Sequence, residues 1–190
     1  MLESLLAGAL VLAQLPEPPV VIDFGPITPA ANPFVAQVIC EDGRGTAFKI
    51  DTGQWVTVRH VSANGGCKIN GKRIYVEHAD EFGDFAILDI GDHSKGGLHV
   101  NCDGFHDGEW YWGIGYGHNI LQSKAVRYSF WYTLGAGPMS ILAWERFVPG
   151  MSGGPVLNAA GEVVGTVNAY GVQKRISFSR ELRRTILCAN

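Results

Sequence analysis

Residues 149–156 read Pro-Gly-Met-Ser-Gly-Gly-Pro-Val, a serine set among three glycines and two prolines. Glycine lets the backbone turn sharply and lets a substrate come close to main-chain amides. A serine hydroxyl is a weak nucleophile. It attacks a carbonyl only when a base within hydrogen-bond reach takes its proton and a third group orients that base. Ser152 in this loop points to acyl-transfer chemistry and requires a histidine and a carboxylate elsewhere in the chain.

The histidines stand at 60, 78, 93, 99, 106 and 118, all before Ser152. Gly150 to Gly154 also matches the G-x-S-x-G elbow of α/β-hydrolases, whose order is serine, acid, histidine. No histidine follows Ser152, so that reading fails. His60 has the strongest local context, closing the apolar run from Trp55 and following the strand-like Gly45-Thr46-Ala47-Phe48. Taken alone it reads equally as an edge-strand histidine. His78 sits in the charged run 77–81, and the other four lie in or near turns without the spacing of metal ligands. For the orienting carboxylate, Asp84 heads the apolar run Phe85-Ala86-Ile87-Leu88. An acid there is costly to bury unless it is paired. It is preferred over Asp89, inside the same run, and Asp80, in the charged loop. The order is then His60, Asp84, Ser152. Subtilisin-type enzymes run acid, histidine, serine; Asp51 fills that acid place nominally, but a large α/β fold does not fit this chain.

The elements that carry these residues read as short strands. Segments 34–40, 45–50, 54–60, 67–70, 73–77 and 84–90 are β-type and are separated by turns such as Asp51-Thr52-Gly53 and Asn70-Gly71. Residues 91–108 are polar and glycine-rich and read as a connection between two halves. A second series follows at 110–116, 122–130, 139–144, 154–157, 162–169 and 175–178, within which Trp110-Tyr111-Trp112 reads as barrel core. Ser179 is placed to cap a final helix over about 180–188. The expectation is an all-β chain of two six-stranded antiparallel barrels, about 34–92 and 108–178, with a short C-terminal helix. Residues 1–33 stand apart. Their apolar start reads as an amphipathic helix or as the core of a secretory signal, and prolines make 14–33 an extended linker.

Composition sets outer bounds. The 190 residues are 46% hydrophobic and 17% charged, which suits a globular core. A net charge of -3 offers no basic field for nucleic acid. No apolar run reaches the roughly 20 residues of a membrane span. Cys40, Cys67, Cys102 and Cys188 contain no CxxC pair, so a zinc cluster is not expected. Two disulfides in any of three connectivities, or free thiols, remain open.

Four stretches together resemble the chymotrypsin-like (trypsin-like) serine proteases, in look nearest to their bacterial and viral branches. They are Gly45-Thr46-Ala47-Phe48, Val56-Thr57-Val58-Arg59-His60-Val61, Asp84-Phe85-Ala86-Ile87-Leu88 and Gly150-Met151-Ser152-Gly153-Gly154-Pro155-Val156. A fifth, from Gly165 to Gly171, falls where that family has a substrate-binding strand. The resemblance covers about residues 34–188. It implies a peptidase domain over 34–190, a serine endopeptidase with His60 as base, Asp84 as orienter and Ser152 as nucleophile, and an oxyanion hole from the amides of Gly150 and Ser152. It also implies substrate contacts from Val167, Asn168 and Ala169, and a protein or peptide substrate, the chain's own segments included. No cofactor or metal is implied. Arg146, six residues before the serine, stands where the family often lines its first specificity pocket; there it favours an acidic side chain, and in a loop of another length it is a surface residue. A catalytically inactive binding module with the same fold is the alternative, and an esterase would use the same triad. Secreted, periplasmic and virus-associated settings all suit the resemblance. Three departures matter. Met151 replaces the aspartate that pairs with a freed amino terminus in many secreted relatives, so no such zymogen switch is expected. Val61 replaces a cysteine that often flanks the histidine, so the family's common disulfide there is expected to be absent, although Cys40 sits near its other half. Arg59 beside the base has no explanation.

Overall fold

The computed structural model describes residues 33–63, 65–80, 84–134, 137–170 and 176–189. The expected helix or signal at 1–13 and most of the linker fall outside them. Among the described residues, no helix is long and apolar enough to cross a membrane.

The first half is built from β1 (Val35–Ile39), β2 (Arg44–Lys49), β3 (Trp55–Thr57), the one-turn helix α1 (Arg59–Ser62), β4 (Lys68–Ile69), β5 (Lys72–Arg73), β6 (Tyr75–Asp80) and β7 (Phe85–Asp89). All pairings are antiparallel, in the order β5-β4-β1-β2-β3-β7-β6. The outer strands β5 and β6 are consecutive in the chain and are separated only by Ile74, whose N–H bonds Cys67 O at 3.1 Å. The outer strands are therefore joined through one residue, and the seven-stranded sheet forms a half-barrel whose edges are not paired to each other, in place of the expected closed six-stranded barrel. Asn70 and Gly71, both at positive φ, make the two-residue turn that joins β4 to β5.

The second half closes completely. Strands β8 (Trp110–Gly117), β9 (Ile120–Leu134), β10 (Gly137–Trp144), β11 (Pro155–Leu157), β12 (Val163–Tyr170) and β13 (Ile176–Glu181) form a six-stranded barrel in the order β10-β13-β12-β11-β8-β9. Within it Tyr111 and Trp112 are buried, as the sequence suggests, while half-buried Trp110 meets Trp144 edge-on at 5.5 Å. The two halves share an apolar seam in which Val35, Phe48, Ile50, Val56, Phe85 and Ile87 meet Ile114, Leu121, Leu157, Val163 and Leu182.

Two further expectations change. The helix expected over 180–188 is one 3-10 turn, Leu182–Arg184. Ser179, Arg180 and Glu181 are taken by the sheet instead, paired with Val167, Thr166 and Gly165. Glu181 lies inside the barrel, where Ser140 Oγ and Arg183 hold its carboxylate. Strand propensity and barrel closure there outweigh a short helix whose cap residue is itself a strand partner. Likewise His60 does not end a strand, because β3 stops at Thr57 and His60 lies on α1.

The cysteines pair as Cys40–Cys67 and Cys102–Cys188. The first bridge spans the segment that carries His60, so the histidine is flanked by a disulfide although Val61 is no cysteine. The second ties the end of the second barrel to the connection between the halves.

Candidate active site

The helix α1 and the head of β7 bring His60 and Asp84 together. Thr57 pairs with Ala86, so the chain leaving β3 and the chain entering β7 run side by side. Asp84 sits at φ 48°, a left-handed conformation that aspartate tolerates and that turns its side chain from the strand toward α1. Its carboxylate grips one residue twice. Oδ1 accepts the His60 backbone N–H at 2.8 Å and Oδ2 meets His60 Nδ1 at 2.6 Å. The His60 side chain is 49% exposed and that of Asp84 16%. Burial pushes the Asp84 pKa up, but the hydrogen bonds and charge of His60, with a further bond from Asn168, outweigh it and leave it below its ordinary value. Asp84 is therefore an anion near neutral pH and only accepts. A contact to an acceptor-only carboxylate assigns the Nδ1 position to the donor and turns Nε2 away from Asp84. The rival carboxylates lie elsewhere: Asp89 Oδ1 accepts from Gly91 N at 2.6 Å at the other end of β7, and Asp80 pairs with Arg180 at 3.5 Å.

Ser152 lies on the turn between β10 and β11, and its loop rests on β8. The sequence Gly113-Ile114-Gly115-Tyr116-Gly117 puts three glycines on one face at period two. Phe147 covers Gly113, Met151 covers Gly115 and Val148 covers Gly117. At Gly115 a Cβ would lie 2.8 Å from Met151 Cα and 3.0 Å from Thr46 Oγ1, so only glycine allows this approach. Met151 is fully buried in the second barrel's core with Tyr111, Phe147 and Val156. The loop is thus seated by an apolar anchor on a glycine floor. Gly115→Ala is expected to cost about 1–3 kcal/mol through overpacking, a fall of roughly 2–12 °C in Tm at this size. A melting curve measures it, and an unchanged Tm would remove the floor from this account.

Asn168 links the two parts. The β12–β13 register shifts between Val167 and Ala169, so Asn168 is bulged out of the ladder and its groups are free for other partners. Its Nδ2 donates to Asp84 Oδ2 at 2.8 Å, and its carbonyl accepts the Ser152 hydroxyl at 3.1 Å. The resting Ser152 hydroxyl thus bonds Asn168. Val167 exchanges both main-chain bonds with the serine loop, accepting from Gly153 N and donating to Gly154 O, each at 2.7 Å. Ala169 pairs with Phe178 in the sheet. Arg146 is half-buried between β10 and the loop. Of the remaining histidines, His99 meets Asp51 at 2.8 Å on an exposed surface. Among the described residues no group of three or more His, Cys, Asp or Glu is placed to hold a metal.

No protein-family model matches the chain, and no curated protein matches it. Solved structures do. The Rv3671c protease of M. tuberculosis in an inactive form aligns over 88% of this chain and 92% of its own, with 19% identity and a TM-score of 0.70. Its active form aligns over 80% and 78%, with 20% identity and a TM-score of 0.69. The chain has the chymotrypsin-like fold. The serine endoprotease from Yersinia pestis shares it over 78% of this chain and 58% of its own, at 20% identity and a TM-score of 0.62. In a chymotrypsin-like fold the cleft lies between the barrels, and here His60 and Asp84 come from the first half and Ser152 from the second.

Sequence reasoning missed the dual role of Asn168, because a bulge leaves no mark in composition. It also missed the floor under the serine loop, although glycine at 113, 115 and 117 was a readable signal: a strand interior that gives up side chains at period two invites another backbone to lie on it.

Proposed function

We propose that the chain is a serine endopeptidase. The observation that supports this is the double grip of Asp84 on His60, together with Asn168, which bonds both Asp84 and Ser152. The reaction requires the Ser152 hydroxyl to leave Asn168 O and bond His60 Nε2; such bonds commonly tighten only when substrate is bound. His60 Nε2 then takes the Ser152 proton as Oγ attacks the peptide carbonyl. The imidazolium gives that proton to the leaving amine, and an acyl-enzyme remains. Water, deprotonated by the same histidine, releases the acid and restores Ser152. The amides of Gly150 and Ser152 take the oxyanion. Val167, Asn168, Ala169 and Arg146 are the residues assigned to substrate. Two disulfides suit an oxidising compartment or an extracellular surface.

A fluorophosphonate probe tests the reading, since it reacts only with an activated serine. The expected result is stoichiometric labelling, located on Ser152 by peptide mass spectrometry. A folded protein that takes up no label is a binding module with this fold, and label on another serine moves the nucleophile elsewhere.

A further inference from the structure

The geometry points to Thr46, a residue of the first half, as a positioning residue for the oxyanion-hole amides; this rests on the peptidase reading above. A peptide unit is planar, so the Gly150 amide turns with Pro149 O and the Ser152 amide with Met151 O. Thr46 holds the carbonyls of the units on either side of the Met151–Ser152 unit, Gly150–Met151 and Ser152–Gly153, and so brackets the Ser152 amide and sets how it faces that of Gly150. In the serine loop each carbonyl in turn has a donor. Pro149 O accepts from His118 N at 3.2 Å, Gly150 O from Thr46 Oγ1 at 2.8 Å, Met151 O from Gly154 N at 3.0 Å, and Ser152 O from Thr46 N at 2.8 Å. Among the N–H groups, Met151 donates to Val148 O and Gly153 to Val167 O, whereas those of Gly150 and Ser152 have no acceptor among the described residues. They are the two amides that the mechanism assigns to the oxyanion.

Thr46 makes two of the four carbonyl contacts, and its hydroxyl makes the one among them that comes from a side chain. That hydroxyl is fully used: it donates to Gly150 O and accepts from Tyr116 N at 2.9 Å. Thr46 O in turn accepts from Thr57 Oγ1 at 2.7 Å. The residue is 0% exposed, so no water substitutes easily for its partners. Gly150 stands at φ 95° with no Cβ to resist rotation, so its carbonyl needs an outside hold. The strut runs from β2 in the first half to β8 and the serine loop in the second. It therefore sets the spacing between the amides and the His60 base as well as the tilt of the Gly150–Met151 peptide.

The test is Thr46→Val, which keeps the shape and removes the hydroxyl, with Thr46→Ser as the conservative partner and Thr46→Ala as a second hydroxyl-free variant. Rates are taken per folded molecule, with Tm measured alongside. Removal of an oxyanion donor typically lowers kcat on the order of 10²–10³-fold; tilting the donors is expected to give roughly 10–100-fold with KM within about threefold. Affinity for a peptide boronate, which forms the tetrahedral adduct, falls in parallel, while affinity for the matching unreactive peptide holds. Thr46→Ser restores kcat to within about threefold of wild type. Wild-type kcat and boronate affinity in either folded hydroxyl-free variant overturn the assignment, as does Thr46→Ser behaving like Thr46→Val. A wild-type protein that neither hydrolyses peptides nor takes up a fluorophosphonate instead overturns the peptidase reading.

Discussion

Ser152→Ala is expected to lower peptide turnover by about 10⁶-fold while the protein stays folded. The loop does not depend on the hydroxyl for its shape. Ser152 O is held by Thr46 N, its neighbours Gly153 and Gly154 are held by Val167, and Met151 anchors the apolar side. The hydroxyl itself makes one bond, at 3.1 Å to the carbonyl of Asn168, and a half-buried neutral bond of that kind is worth about 1 kcal/mol or less. The loss therefore falls on the chemical step. A residue of roughly 10³–10⁴-fold acceleration over water should remain, supplied by the oxyanion amides and by binding. Turnover of a fluorogenic peptide, with a melting curve alongside, measures both halves of the claim. A fall of less than about 100-fold in a folded variant means that Ser152 is not the nucleophile.

Asp84→Asn comes second, with an expected loss of about 10⁴-fold in kcat. The carboxylate offers an acceptor to each of three donors: the His60 amide, His60 Nδ1 and Asn168 Nδ2. An amide must turn its NH2 toward at least one of them. If it faces Nδ1, the imidazole protonates on the other nitrogen and Nε2 is no longer a base. Asp89→Asn is the control, since Asp89 caps Gly91 at the far end of the strand and touches neither His60 nor Ser152; its activity should stay near wild type. The pair also has an acid signature. Because the folded-state pKa of Asp84 is lowered, its contribution to stability is complete above the ordinary value of 3.8 and disappears as pH falls from there through the lowered value. The urea midpoint of the wild type should drop across that interval, and that of Asp84→Asn should drop less. Equal acid slopes would remove the pair from the stability account.

Much of this was legible in residue order. His60, Asp84 and Ser152 are each embedded in short runs whose residue types fix their neighbours, so the fragments could be read one at a time. The two-half layout was legible because turn residues punctuate the chain and because 91–108 is too polar to be core. What could not be read depends on partners distant in sequence. Thr46 looks like an ordinary strand-forming residue, and only the approach of the second half, 70 and 104 positions later, gives its hydroxyl two partners. The helix expected after Ser179 failed for a similar reason. Its local capping signal was sound, but the backbone groups of Ser179 to Glu181 were needed to complete the barrel. The pairing of four cysteines was undetermined until the fold set which pairs are neighbours.

The Cys102–Cys188 bridge has a mechanical consequence. A pull applied to the chain beyond Cys188 does not first load the hydrogen bonds of β13. It passes through the sulfur atoms to Cys102, in the connection between the halves, so β13 cannot be peeled from β12 and β10 one bond at a time. The strand next to the bulged Asn168 is thus shielded from tension at that end of the chain for as long as the bridge is oxidised.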